Sequence, residues 1–553
     1  MLPTLGPVYL LLIFIAAYIF YRVSKRVYRI YTSPLRSLPG PPSLGFFYGS
    51  VSQVPEADAY RLFERWTEQW GPTYKYSSMF NANQNNKLHT ADVTALAYIL
   101  SSDLYVKSNI MTRFSPAFTK NYGVLEPFRE IFSSHSHVEG SAFSYAQIRE
   151  FTHVFTSKAL ELRDLWLMEF SHSKRTDGKL EIDAFAWMNR LALDTIGLAG
   201  FDYNFDSLHT IAADSKPNEL LKAVRDLFTF DFFTVIFVVQ LFFPLTRLIP
   251  TRHSRTTAAA VDTIRRIGND MIAQKKSVML AHNSGTAGKR ELEGADLLSL
   301  LIRLSMAEDI PAEERMTDEE ILSQIPSVLL AGHEVCPYVI TWTLFSLATN
   351  PAVQSKLRAE LQAVESEKPT MATLLSLPYL DAVLRESLRL HAPVGFTERV
   401  ATKTDYIPLQ TPYVDVKGML KNTVRVSKGD KIYIPIRALN RSKDLWGIDA
   451  EEFKPERWLD NAVPDAVKSI PSVWSNTMSF LAGPHACIGY RVALVQMKAM
   501  LFPLIRDFVF ELGISPEDVG RRNNIVGRPY IASDPGSGFQ LPMLIKPCSV
   551  DLQ

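Results

Sequence analysis

Helical periodicity is the feature that most limits what this chain can fold into. Apolar residues recur at three-and-four spacing through about 145–205, 215–280, 317–349, 351–366 and 378–391, the repeat that turns one face of a helix toward a core. A shorter β-rich portion is expected around Val424–Val426 and Lys431–Ile436. Both are β-branched runs beside Lys428-Gly429-Asp430, which reads as a hairpin-like turn. Asn283 to Gly294 is polar and contains glycine, so it reads as a surface loop between two helical stretches. The expected fold class is therefore mainly α with a smaller β-rich portion (α+β). At 553 residues, 47% hydrophobic and 21% charged, the chain can fill one large core, and the composition suggests neither disorder nor a fibre.

The first residues have a different character. Leu5 to Tyr21 is almost wholly apolar, and Arg22, Lys25, Arg26 and Arg29 follow at once. This pattern predicts a single-pass N-terminal transmembrane helix whose basic end lies in the cytosol. Met1 to Gly6 lack the basic residues that open a cleaved signal peptide. Leu38-Pro39-Gly40-Pro41-Pro42 forbids helix and favours a stiff extended turn. The expected organisation is an anchor over 1–30, a Pro-rich hinge over 31–50 and a catalytic body over 51–553. The apolar run Phe228 to Phe243 is interrupted by Asp231 and Gln240, so it reads as buried or interfacial rather than spanning.

Charge and cysteine usage remove several functions. Lys plus Arg total 59 against 58 Asp plus Glu, a net charge of +1, which gives no electrostatic reason to expect a nucleic-acid partner. Three cysteines, Cys336, Cys487 and Cys548, lie far apart. Their number and spacing argue against a disulfide framework and against a zinc cluster.

One of them sits in unusual company. In Phe480-x-x-Gly483-x-His485-x-Cys487-x-Gly489, glycines on both sides of the sulfur allow a tight loop whose amides face it. The helical pattern from Tyr490 through Phe502 would place a helix N-terminus beside it, which stabilises negative charge. Such a loop suits a metal-bound thiolate, whereas a cysteine alone is more often a small buried hydrophobe. Elsewhere, Glu386 and Arg389 stand at i, i+3 on a helical stretch, so their charges share a face. No G-x-G-x-x-G fingerprint occurs in a strand-to-helix context, so no nicotinamide or flavin site is expected in this chain.

The Cys487 loop resembles that of the cytochrome P-450 family, and the resemblance runs over nearly the whole chain after residue 50, through several motifs in the family's order. It implies a single large haem-thiolate monooxygenase fold binding haem b (iron protoporphyrin IX), with Cys487 as the axial iron ligand and Phe480, Gly483, His485 and Gly489 shaping the loop. Phe453-Lys454-Pro455-Glu456-Arg457-Trp458 resembles the segment that completes a buried Glu-Arg-Arg network. Its members would be Glu386, Arg389 and Arg457, holding the Cys487 loop in place. Pro393 and Arg399 match a segment that supplies a pocket wall and a cation for a haem propionate. Ala331-Gly332-His333-Glu334 resembles the oxygen-binding groove, with Gly332 leaving room for dioxygen and Glu334 relaying protons. The usual partners are dioxygen, a lipophilic small molecule, a membrane, and a separate NADPH-dependent flavoprotein reductase. Fungal membrane-bound members are the nearest likeness, which implies the endoplasmic reticulum, a cytosolic catalytic body, and a terpenoid or other secondary metabolite as substrate.

Two departures stand out. Val335 occupies the position where the family usually has Thr, and Pro326 and Pro337 predict kinks on both sides of the groove. A water or a substrate hydroxyl is the favoured replacement for the missing alcohol. The alternatives are leakage to peroxide, or a haem-dependent isomerase or dehydratase without net oxygenation. Between Arg129 and Arg149 the Trp or basic stretch that reaches a propionate is missing, leaving His135, His137 and His485 as candidates. A catalytically impaired haem-binding protein is the further alternative these departures raise. The expected pocket segments, near 110–135, 225–245, 327–335, 393–397 and 524–530, are mostly apolar.

Overall fold

The computed structural model describes residues 33–43, 49–50, 59–77, 86–108, 143–172, 177–210, 218–228, 252–283, 296–306, 311, 315–459, 462–523 and 526–548, with scattered residues of 13–32. The predicted anchor, the loop after Asn283, the run after Phe228, and His135 and His137 lie wholly or mostly outside the described residues. In chain order the elements are α1 (Ala59–Trp70), β1 (Thr73–Tyr76), β2 (Lys87–Thr90), α2 (Val93–Ser101), β3 (Tyr105–Lys107), α3 (Tyr145–His172), β4 (Leu180–Asp183), α4 (Ala184–Phe201), α5 (Glu219–Phe228), α6 (Arg252–Asn283) and α7 (Leu297–Met306). Then come α8 (Asp318–Thr349), α9 (Pro351–Gln362), α10 (Pro378–Leu390), β5 (Thr397–Ala401), β6 (Asp405–Val414), β7 (Leu420–Val426), β8 (Lys431–Ile434), α11 (Tyr490–Asp507), β9 (Phe508–Leu512), β10 (Val519–Asn523), β11 (Gly527–Ile531) and β12 (Pro542–Pro547). Short helical turns separate some of these. Helix predominates, as the periodicity predicts.

The chain divides into two compact units. The first comprises Met1–Ser108, Gly395–Leu445 and Asp465–Pro484. It is built on a five-stranded sheet in the order β1-β2-β8-β5-β3, antiparallel except where β2 runs parallel to β8. Phe63 and Trp66 of α1 pack with Tyr74, Tyr76 and Tyr433 of that sheet, and the buried His89 ring stacks on Tyr74 with centroids 4.2 Å apart. The proline-rich segment is fastened to this sheet: Lys75 N donates to the Pro39 carbonyl at 2.9 Å, and a Cβ on Gly40 would strike the Lys75 carbonyl oxygen at 2.1 Å.

Lys428-Gly429-Asp430 does turn the chain, with Gly429 at φ +90°, yet it makes no hairpin. β7 pairs with β6, while β8 pairs with β5 and β2. The turn therefore passes the chain from one sheet to another, a difference that a turn signature alone cannot carry because it specifies backbone direction and not strand partners.

The second unit comprises Asn109–Val394, Trp446–Pro464 and His485–Gln553 and holds most of the helices, the sheet β4-β12-β9 and the hairpin β10-β11. Its central helix, α8, begins in a capping box: Glu320 N donates to Thr317 Oγ1 at 3.2 Å and Thr317 N to Glu320 Oε2 at 2.7 Å. Asp318, Glu319 and Glu320 in its first turn complement the helix dipole. It runs as one helix through Pro326 and Pro337. Among the described residues it is the one helix long and apolar enough to cross a membrane, and most of it is buried as core. The predicted helix over 145–205 is two helices. They are separated at Gly178 (φ +65°) and by β4, which pairs with β12 across more than half the chain, and Asp183 caps α4 by accepting from Phe185 N at 3.0 Å.

Candidate active site

The segment that precedes Cys487 in sequence belongs to the first unit. Asn440, wholly buried, accepts from Met478 N at 2.9 Å and donates to Ser479 Oγ at 3.0 Å, bracing the turn Met478–Phe480. Phe480 is buried edge-on against Trp474 at 5.6 Å. Leu481 then takes φ +59° and Gly483 φ +66°. A side chain at Gly483 would strike the Leu100 carbonyl oxygen at 2.0 Å, so both the dihedral and the space demand glycine there. Arg399 lies on β5, completely buried, with Nη1 donating to Thr397 Oγ1 at 2.9 Å and to the Glu398 carbonyl at 3.1 Å.

In the second unit, half-buried His485 ends a short turn and Cys487 follows, exposed, although cysteine is among the most buried residue types. Gly489 caps α11 without a side-chain hydrogen bond. The N-terminal dipole of α11 favours a thiolate at the cysteine just before it. Burial pushes the Cys336 thiol of α8 up to about 12, and charge at Cys487 adds to that rise. The donor set fits a haem held through a thiolate: an exposed soft ligand at a helix N-terminus, on a loop whose shape only glycine permits.

Glu386, Arg389 and Arg457 form one buried cluster. Glu386 Oε1 and Oε2 accept from Arg389 Nη2 and Nε, both at 2.8 Å, and Oε1 also accepts from Arg457 Nε at 2.9 Å. The guanidiniums have further acceptors, Arg389 in the carbonyls of Ala450 and Glu452, Arg457 in that of Asp449. Trp458 Nε1 donates to Glu386 Oε2 at 2.9 Å, a member of the cluster that the sequence motif contains but does not mark.

On α8 the groove residues separate into roles. Ala331 is exposed. Gly332 faces α4: a Cβ there would lie 2.5 Å from Ile196 Cγ1 and 2.6 Å from its Cδ1, so the missing side chain is what lets the two helices approach. His333 is held mainly neutral because burial lowers its pKa; Glu334 pulls it upward, while Arg225 and Arg528 push it further down. Glu334 is ion-paired to Arg528 of β11. Arg528 lies in an expected pocket segment, but nothing in its local sequence marks it as the partner of Glu334.

The family model described as Cytochrome P450 matches residues 39–529. Cytochrome P450 monooxygenase 205 of Postia placenta is 44% identical over 523 residues, covering 94% of each chain. Cytochrome P450 monooxygenase claW of Ampulloclitocybe clavipes is 32% identical, covering 95% of this chain and 94% of its own. With a glycine-shaped thiol loop at the head of α11 and likeness along almost its entire length, the chain belongs to the cytochrome P450 family of haem-binding monooxygenases.

Proposed function

We propose that this monooxygenase inserts one oxygen atom of dioxygen into a lipophilic small molecule, a terpenoid or comparable secondary metabolite, using NADPH electrons passed singly by a separate flavoprotein reductase. The observation that carries the reading is the exposed Cys487 at the N-terminus of α11. Haem, when bound, supplies the reduction of dioxygen and the atom insertion. Cys487 Sγ would hold its iron, Arg399 would serve a propionate as the family motif implies, and His485, standing where the family more usually has Arg, is a further candidate for that role. Phe480, Gly483 and Gly489 keep the loop's shape. Glu386, Arg389 and Arg457 hold the chain behind the loop, and Glu334 carries protons at its carboxyl oxygens toward the groove at Ala331. Gly332 sets how closely the groove helix lies to α4.

The apolar segment Leu5–Tyr21 followed by Arg22, Lys25, Arg26 and Arg29 supports a single-pass anchor in the endoplasmic reticulum with the catalytic body in the cytosol. Removing residues 1–30 then moves the protein from the membrane pellet to the supernatant; retention in the pellet after an alkaline wash contradicts the anchor. The reaction is tested by supplying the holoenzyme with NADPH, a fungal reductase and a panel of terpenoids under isotopically labelled dioxygen. One labelled oxygen per product molecule, the other leaving as water, is expected. A product formed equally under argon identifies a rearrangement instead, the alternative to which Val335 lends support.

A further inference from the structure

The family's acid-alcohol arrangement is incomplete here, because Val335 follows Glu334 without a hydroxyl. We propose that Arg528 is a positioning residue of the proton path, its ion pair with Glu334 doing the work of the absent alcohol by fixing where the carboxyl points. This rests on Glu334 being the acid of the proposed reaction.

The pair is built rather than incidental. Arg528 Nη2 donates to Glu334 Oε2, and the two side chains are only 26% and 20% exposed, so water screens them less than a surface pair. The guanidinium lies over the Phe539 ring, 5.2 Å from its centroid, which limits where it can go. Its strand is pinned to the groove helix: Gly527 O accepts from Trp342 Nε1 at 3.1 Å, roughly two turns along α8 from Glu334. Across the carboxyl, His333 Nδ1 is 3.9 Å from Oε1, and burial keeps that ring from being a ready cation.

A guanidinium cannot give up its proton at working pH, so Arg528 is no relay member itself. It grips Oε2 and leaves Oε1 to exchange protons with water on one side and the groove on the other. Arg528 Nε, buried and without a hydrogen-bond partner among the described residues, adds a fixed donor beside that path. A threonine hydroxyl would orient the acid by one neutral hydrogen bond; a charge-assisted bond is roughly twice as strong.

The test compares holoenzyme with Glu334→Gln, Arg528→Leu, Arg528→Lys and the double variant Glu334→Gln/Arg528→Leu, each checked for haem content by its reduced carbon monoxide spectrum. Product formed and peroxide released per NADPH consumed are measured with a turned-over terpenoid. Glu334→Gln is expected to lower product by about 100-fold and Arg528→Leu by about tenfold, with peroxide rising in both. Arg528→Lys restores most of the loss because it keeps the charge. The double variant falls no lower than Glu334→Gln, since Arg528 acts only through that carboxyl. Thermal unfolding of the four combinations, read without turnover, is expected to be non-additive for the same reason. An unchanged Glu334→Gln enzyme overturns the assignment of the acid. A reduced Glu334→Gln enzyme beside a normally coupled Arg528→Leu, or an Arg528→Leu loss that adds in full to the double variant, overturns the role of Arg528 alone.

Discussion

Glu386 has no contact with water, and neither does Arg389, while Arg457 is 5% exposed. Charges in such a place are tolerated only because each oxygen and each guanidinium has several partners, and removing one member strands the others. Arg457→Ala is therefore expected to cost about 3–5 kcal/mol in urea unfolding, and a loss under about 1 kcal/mol would show that the cluster relaxes or hydrates instead. Half of this cluster is legible in sequence because Glu386 and Arg389 stand at helical i, i+3 spacing. Arg457 reaches it from a remote segment and becomes visible only through family resemblance. Arg528 marks the opposite case: it meets Glu334 from 194 residues away, with no periodicity or motif linking them. Spacing predicts partners only within an element, so pairings between elements are where reading residues along the chain stops.

Elements follow the same division. The helix α8 was expected over 317–349 and runs from Asp318 to Thr349, because its capping box and apolar repeat are both local. The interruption of 145–205 by β4 is not local, since four residues become a strand by pairing with β12, and short strands yield to tertiary context. Close packing of α4 on α8 through Gly332 gives a direct prediction. Gly332→Ala is expected to destabilise the second unit by about 1–3 kcal/mol through overpacking against Ile196, and Ile196→Ala in the same chain is expected to recover part of it in thermal unfolding; no recovery would place the strain elsewhere. On β2, burial lowers the His89 pKa to about 3, against an unfolded value of about 6.5. Between these two values the unfolded chain binds the proton and the folded one does not, so stability is complete above about 6.5 and is lost as pH falls. Urea unfolding at pH 7 and pH 5 is expected to show His89→Phe losing roughly 1–2 kcal/mol less than the parent over that interval; equal losses would mean that His89 is solvated.

At the scale of the molecule, a mainly α chain with a smaller β portion was expected, and that is the family's architecture. What composition could not show is how the sequence is shared out: each compact unit is assembled from three separated stretches of chain, and segment boundaries carry no compositional mark when both sides are ordinary globular sequence. The division passes through the Cys487 motif itself, Phe480 to Pro484 belonging to one unit and His485 onward to the other. Haem binding by this chain depends on the Cys487 sulfur. The most direct test is the difference spectrum of the full-length protein, reduced and exposed to carbon monoxide, beside Cys487→Ala. A strongly red-shifted Soret band in the parent, absent from the variant, is the predicted result; an identical band in both proteins, or none in folded parent protein supplied with haem, would contradict thiolate ligation by Cys487.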